Sequence, residues 1–138
     1  MPTTTICSFT VLQAIDIECS VDKAMSFMSD APQWLPWAMP GIESVLPLPF
    51  GQWLIKTARG LTKLRPLVDP LRGLLDYELV MPANGSWRVP VRVQPTATGC
   101  HLAIRFVKPA HLPVAAFQTN MQHTAEGLHT LKLVLEQD

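Results

Sequence analysis

The sequence predicts a single α+β domain in which a curved, seven-stranded antiparallel sheet wraps around a long C-terminal helix, with two short helices after strand one. Two observations carry that prediction. Seven segments of strand character, at 9–19, 42–48, 52–58, 61–68, 74–81, 86–94 and 100–107, are set apart by stretches of turn-forming residues. Beyond them, 114–136 contains no proline, and Phe117, Met121, Thr124, Leu128, Leu131 and Leu135 recur at steps of four, three, four, three and four. A helix with one apolar stripe needs an apolar surface on one side only, and the sheet must supply it.

In order along the chain, Phe9, Val11, Ile15 and Ile17 alternate with polar or small neighbours, the period-2 mark of a half-buried strand. Ser20 is a good N-cap for a short helix over 21–29, where Ala24, Met25, Phe27 and Met28 fall at helical spacing until Asp30, Ala31 and Pro32 break it. The segment 33–41 holds Trp34, Pro36, Trp37, Met39 and Pro40, too apolar for a solvated loop, and is expected to form a second short helix packed as a flap. Strands 42–48 and 52–58 form a hairpin across Pro49, Phe50 and Gly51. Arg59 and Gly60 lead into 61–68, and the 69–73 turn leads into 74–81. Asn84 and Gly85 are a strong hairpin signal before 86–94. Thr98 and Gly99 turn into 100–107, and Pro109 and Pro113 close the strand region.

Composition narrows the function classes. With 138 residues there is room for one core, so the domain is expected to span 1–138. Eleven basic and eleven acidic side chains cancel, which leaves no broad positive field for nucleic acid or an anionic membrane surface. No apolar run reaches the roughly 18 residues of a membrane span, and no basic region precedes an apolar stretch at the N-terminus, so neither integral membrane association nor a signal peptide is expected. Cys7, Cys19 and Cys100 are an odd set without CxxC spacing, which suggests neither a disulfide framework nor structural zinc and makes the cytoplasm the expected compartment. Oligomeric state is not readable from the chain.

Metal and cofactor signals are lacking. Cys100 and His101 are adjacent on a strand and so point to opposite faces. His123 and His129 stand six positions apart, about 240° around a helix, and do not converge. His101 and His111 have no nucleophile motif beside them, and Gly41, Gly51, Gly60, Gly73, Gly85 and Gly99 sit singly at turns rather than in a phosphate loop. No metal or cofactor is expected.

Alternation sorts the strands by face. Trp53, Ile55 and Thr57 share one side of their strand. Leu75, Tyr77, Leu79 and Met81 oppose Leu74, Asp76, Glu78 and Val80, and Trp87, Val89, Val91 and Val93 oppose Arg88, Pro90 and Arg92. Leu102, Ile104 and Phe106 oppose His101, Ala103 and Arg105. Nearly every charge of the sheet falls outside. Asp76, Glu78, Lys56, Arg88 and Arg92 are then expected to form an exposed cross-strand ladder, unless a bulge at Pro90 reverses the phase.

The order of elements resembles the START-like, Bet v 1-like superfamily (SRPBCC), and its texture is similar to the bacterial polyketide cyclase/dehydrase-like branch. The resemblance rests on 20–34 leading to Trp37, on Gly73-Leu-Leu-Asp-Tyr77 ahead of a strand, and on 128–136 at the end, and it covers nearly the whole chain. It implies a helix-grip fold with a deep cavity between sheet and C-terminal helix. Members of such folds bind lipids, hormones, quinones and polyketides, and some catalyse reactions, so the fold does not decide the function.

The candidate ligand-binding residues are Trp53, Ile55, Tyr77, Leu79, Trp87, Val89, Ile104 and Phe106 from the sheet. They face Phe117 and Met121 from the last helix, with Trp34, Trp37 and Met39 near a mouth. Two arrangements stay open: these side chains fill one another's space as a dry core, or they wall a cavity. Trp34 and Trp37, three apart, would share a helix face and either gate the cavity or anchor the flap. The expected function is binding or carriage of a small hydrophobic or aromatic ligand. The alternative is a polyketide cyclase or dehydratase in which Tyr77 works with Asp76 or Arg92 on proton transfer and charge stabilisation. Burying roughly 300 Å² of apolar ligand at ~25 cal/mol per Å² yields about 7 kcal/mol gross, against association costs of at least ~4 kcal/mol, so tight binding needs polar contacts as well.

Overall fold

A computed structural model of the protein describes residues 3–7, 10–38, 42–58, 60–81, 85–110 and 112–137. Phe9, Met39, Pro40, Gly41, Arg59, Asn84 and His111 lie outside the described residues, as do the side chains of Cys7 and Trp37. The elements run β1 (Thr3–Cys7), β2 (Thr10–Ile17), α1 (Val21–Ser29), α2 (Ala31–Ala38), β3 (Ile42–Pro47), β4 (Trp53–Thr57), β5 (Gly60–Asp69), β6 (Leu74–Met81), β7 (Gly85–Pro95), β8 (Cys100–Val107) and α3 (Val114–Leu135). The strands form one antiparallel sheet in the order β1-β2-β8-β7-β6-β5-β4-β3. This is the expected helix grip.

The seven expected strands are β2 to β8. An eighth, β1, adds to the edge and pairs with β2 from Thr3↔Ala14 to Cys7↔Thr10, so the short helices follow the second strand of the chain rather than the first. Thr-Thr-Thr-Ile-Cys has β-branched residues but no apolar alternation. Its place is taken by backbone pairing at an edge, which leaves no period-2 trace.

α1 has its expected bounds, and the Ser20 hydroxyl accepts from Lys23 N–H at 3.1 Å as the N-cap. α2 begins two residues earlier than predicted, at Ala31. Pro32, read from sequence as a breaker, sits in the first turn, where a missing N–H is no loss. Pro36 stands inside the same helix.

The inward face of β2 buries Val11, Gln13, Ile15 and Ile17, and the Gln13 amide donates to the Met121 carbonyl of α3 at 2.8 Å. The far end of α3 is held too. Lys23 Nζ donates to the carbonyls of Leu135 and Gln137 at 2.8 and 2.7 Å, satisfying acceptors that a helix C-terminus leaves open. Lys132 Nζ reaches the Asp16 carbonyl at 2.9 Å, and the Glu136 carboxylate accepts from Glu18 N–H at 2.9 Å. α3 is thus clamped to β2 at its middle and at its end. No described helix is long and apolar enough to cross a membrane.

Candidate functional site

The sheet and α3 do not close on each other completely. Between them lies a cavity of about 150 Å³. Leu64 of β5, Tyr77 and Leu79 of β6, Trp87 and Val89 of β7, and Ile104 and Phe106 of β8 form its sheet wall. The pairing register explains the set: Leu64↔Leu79, Leu79↔Trp87 and Tyr77↔Val89 are opposed residues whose side chains share one face. Met28 of α1 with Trp34 and Leu35 of α2 closes one side, and Asn120, Met121, Thr124, Gly127, Leu128 and Leu131 of α3 close the other.

Of the residues singled out from sequence, Trp34, Tyr77, Leu79, Trp87, Val89, Ile104, Phe106 and Met121 line this space. Ile55 and Phe117 are buried in the packed core and Trp53 lies half-buried against it, so these three do not form the wall. β4, which bears Trp53 and Ile55, stands between the edge strand β3 and β5, just outside the β5–β8 wall of the cavity. Trp37's side chain and Met39 lie outside the described residues.

Sequence reasoning missed Met28, Leu35, Leu64, Asn120 and Gly127. Gly127 had a signal: a glycine inside an otherwise regular helix costs about 1 kcal/mol relative to alanine, which a cavity-facing position makes intelligible because no side chain occupies the space. Asn120 had one as well, since it stands four and seven positions before Thr124 and Gly127 on the inward stripe.

Most polar groups of the wall are already engaged by the protein. The Tyr77 hydroxyl and the Trp34 indole N–H both donate to the Met28 carbonyl, the latter at 2.8 Å. Met28 lies in the last turn of α1, where carbonyls have no intrahelical partner. Trp87 N–H donates to the Val107 carbonyl at 2.6 Å, and the Thr124 hydroxyl to the Asn120 carbonyl at 2.9 Å. Burial pushes the Tyr77 phenol well above its ordinary pKa, so it is a neutral hydrogen-bond donor. No Asp, Glu, His, Lys, Arg or Cys is among the described residues of the lining.

The charged ladder lies on the opposite face of the sheet. Arg92 Nη1 meets Asp76 Oδ1 at 2.7 Å, and Glu78 stands 3.7 Å from Arg65 and 3.6 Å from Arg88. Arg65 takes the place expected for Lys56, which is exposed. Pairing from Leu74↔Arg92 to Met81↔Gly85 runs without a shift, so Pro90 makes no bulge and the phase is not reversed. The grouping of Tyr77 with Asp76 or Arg92 is therefore corrected: the sheet itself stands between the phenol and the ion pair.

Away from the cavity, His101 Nδ1 meets Asp16 Oδ1 at 2.7 Å on the surface. Cys100 is fully buried, and its thiol is pushed up to about 12, chiefly by burial and further by the neighbouring Cys19. Among the described residues no three His, Cys, Asp or Glu side chains group as metal ligands.

No family model matches the chain, and no curated protein matches it. Solved structures do. A START superfamily protein from Mycobacterium smegmatis superposes with a TM-score of 0.62 at 16% identity, covering 92% of this chain and 97% of that one. The allergen Ara h 8.0201 superposes with a TM-score of 0.63 at 13% identity, covering 91% and 97%. The fold is START-like. This helix-grip fold, that of the Bet v 1-like or SRPBCC superfamily, is also present in the di-domain aromatase/cyclase StfQ of the steffimycin biosynthetic pathway. There the TM-score is 0.66 at 16% identity, over 93% of this chain and 51% of the longer StfQ. At such identities the START-like likeness is one of fold. The function must be argued from the cavity.

Proposed function

We propose that the protein binds and carries a small, uncharged hydrophobic or aromatic molecule in the cavity between the sheet and α3, by excluding water and without covalent chemistry. One observation supports this above the others: an apolar hollow of about 150 Å³ remains where the side chains of a solid core would interlock. Apolar cavities of roughly 150 Å³ stay dry and accept a benzene-sized guest. Such a guest buries roughly 200 Å² and gains about 5 kcal/mol gross at ~25 cal/mol per Å², which association costs reduce to weak binding. The free thiols of Cys19 and Cys100 suit a reducing compartment, and we assign the cytoplasm.

The cyclase or dehydratase alternative has little to work with. Asp76 and Arg92 lie on the other face, and Tyr77, the one titratable group among the described residues of the wall, already donates a hydrogen bond to the Met28 carbonyl. A multi-ring polyketide also exceeds a space suited to one ring.

The test is toluene titration followed by tryptophan fluorescence, with native mass spectrometry of protein purified without detergent. Saturable quenching is expected in the wild type. Val89→Trp, which fills the hollow, is expected to weaken toluene at least tenfold, with Val89→Phe as the milder variant if the larger ring prevents folding. No saturable binding, or binding indifferent to both substitutions, overturns the proposal.

A further inference from the structure

Among the described residues, five side chains with polar atoms line the cavity, and four of them are engaged by the protein. Tyr77 and Trp34 donate to Met28, Trp87 donates to Val107, and Thr124 donates to the Asn120 carbonyl. The fifth is Asn120, whose carboxamide makes no hydrogen bond among the described residues. It is half-buried and lines the cavity on the same inward stripe of α3 as Thr124 and Gly127. A carboxamide offers an acceptor and two donor hydrogens. No charged side chain stands in the described lining to compensate an ionised guest.

We propose that Asn120 is the polar recognition point of the cavity, and that it selects a small ring compound bearing one uncharged hydroxyl or carbonyl group over a plain hydrocarbon or an organic anion. This deepens the carrier reading above and rests on it. The ring occupies the apolar hollow, while its oxygen exchanges water for the Asn120 carboxamide. With Asn120 removed, a ligand oxygen finds no free donor hydrogen among the described lining groups, because those of Tyr77, Trp34, Trp87 and Thr124 are already given to backbone carbonyls. A carboxylate finds no cation there with or without Asn120.

The experiment compares toluene, p-cresol and p-toluate at neutral pH on the wild type and on Asn120→Leu, read by tryptophan fluorescence and calorimetry. Asn120→Ala serves as the second variant, and toluene affinity confirms that each variant keeps its cavity. The wild type is expected to take p-cresol at least as tightly as toluene and p-toluate at least tenfold more weakly. Asn120→Leu is expected to lower the p-cresol affinity relative to toluene by about fivefold, the net weight of one hydrogen bond lost. An unchanged p-cresol to toluene ratio in both variants overturns the role of Asn120 while leaving the carrier reading intact. Strong p-toluate binding overturns the choice of uncharged ligands. If neither toluene nor p-cresol binds the wild type, the carrier reading fails and this proposal with it.

Discussion

Trp34 and Tyr77 lie with ring centroids 4.8 Å apart and planes tilted by 42°, and both direct their polar hydrogen at the Met28 carbonyl. A residue of α2 and a residue of β6 thereby converge on the last turn of α1, joining both short helices to the sheet at the edge of the cavity. Two of the polar handles available to a ligand are spent on the scaffold.

Removing one of the two donors is expected to be mild. Tyr77→Phe keeps the ring in the wall and leaves Trp34 on the Met28 carbonyl, so stability should fall by about 1 kcal/mol, the net value of one hydrogen bond. Thermal unfolding measures it, as a drop of roughly 3–4 °C in Tm for a domain of this size. Toluene affinity should not change. A loss of ligand binding in Tyr77→Phe would assign the hydroxyl a direct contact with the guest, contrary to the hydrogen bond described.

Tyr77 is the only tyrosine in the chain, so tyrosinate absorbance reports on it alone. Its folded-state pKa is raised by burial, and the unfolded chain should ionise near the ordinary value of about 10. The stability this group contributes is therefore fully present below about pH 10 and is lost as pH climbs from there toward the folded pKa. The absorbance is expected to appear together with the loss of near-UV circular dichroism, in one step. Reversible ionisation near pH 10 with the fold intact would contradict the burial of the phenol.

Much of this arrangement was legible in the chain. Period-2 alternation placed Tyr77, Leu79, Trp87, Val89, Ile104 and Phe106 on the inner face and Asp76, Glu78, Arg88 and Arg92 on the outer one, because the charged residues of each of these strands keep to one side. β1 stayed hidden, since an edge strand held by backbone pairing needs no apolar face. Met28 was visible as a helix residue, but its carbonyl's part was not: whether a backbone acceptor at a helix end is met by water or by an indole and a phenol depends on how three elements pack. Asn120 is not one of the apolar residues whose spacing marked the helix, so periodicity passed over it. Its meaning emerges only once every other polar group of the wall is accounted for.

The outer ion pair is expected to matter little. Arg92 and Asp76 meet at 2.7 Å, with side chains 42% and 22% exposed, so water and salt screen their attraction. A double-mutant cycle with Asp76→Asn and Arg92→Gln should give a coupling of about 0.5–1 kcal/mol, shrinking in high salt. Toluene and p-cresol affinities should stay within a factor of two. A larger effect on binding than on stability would restore these two residues to the functional site.

Phe50 offers a gain. It sits at the tip of the β3–β4 turn with φ 64° and ψ 34°, a left-handed conformation in which a Cβ crowds the backbone, and it is 96% exposed, so no packing offsets the strain. Phe50→Gly removes a strain of roughly 1–2 kcal/mol and adds about 0.4–1 kcal/mol of chain entropy to the unfolded state, for a net stabilisation of about 0.5–1 kcal/mol. The neighbouring Gly51 supplies the control. Its φ is +72° and nothing lies within 4 Å of an added Cβ, so Gly51→Ala isolates the backbone effect and should destabilise by about 1 kcal/mol. Urea unfolding of the two variants should shift the midpoint in opposite directions with the same m-value. If Phe50→Gly instead lowered stability, the phenyl ring would have to be making contacts that its exposure denies.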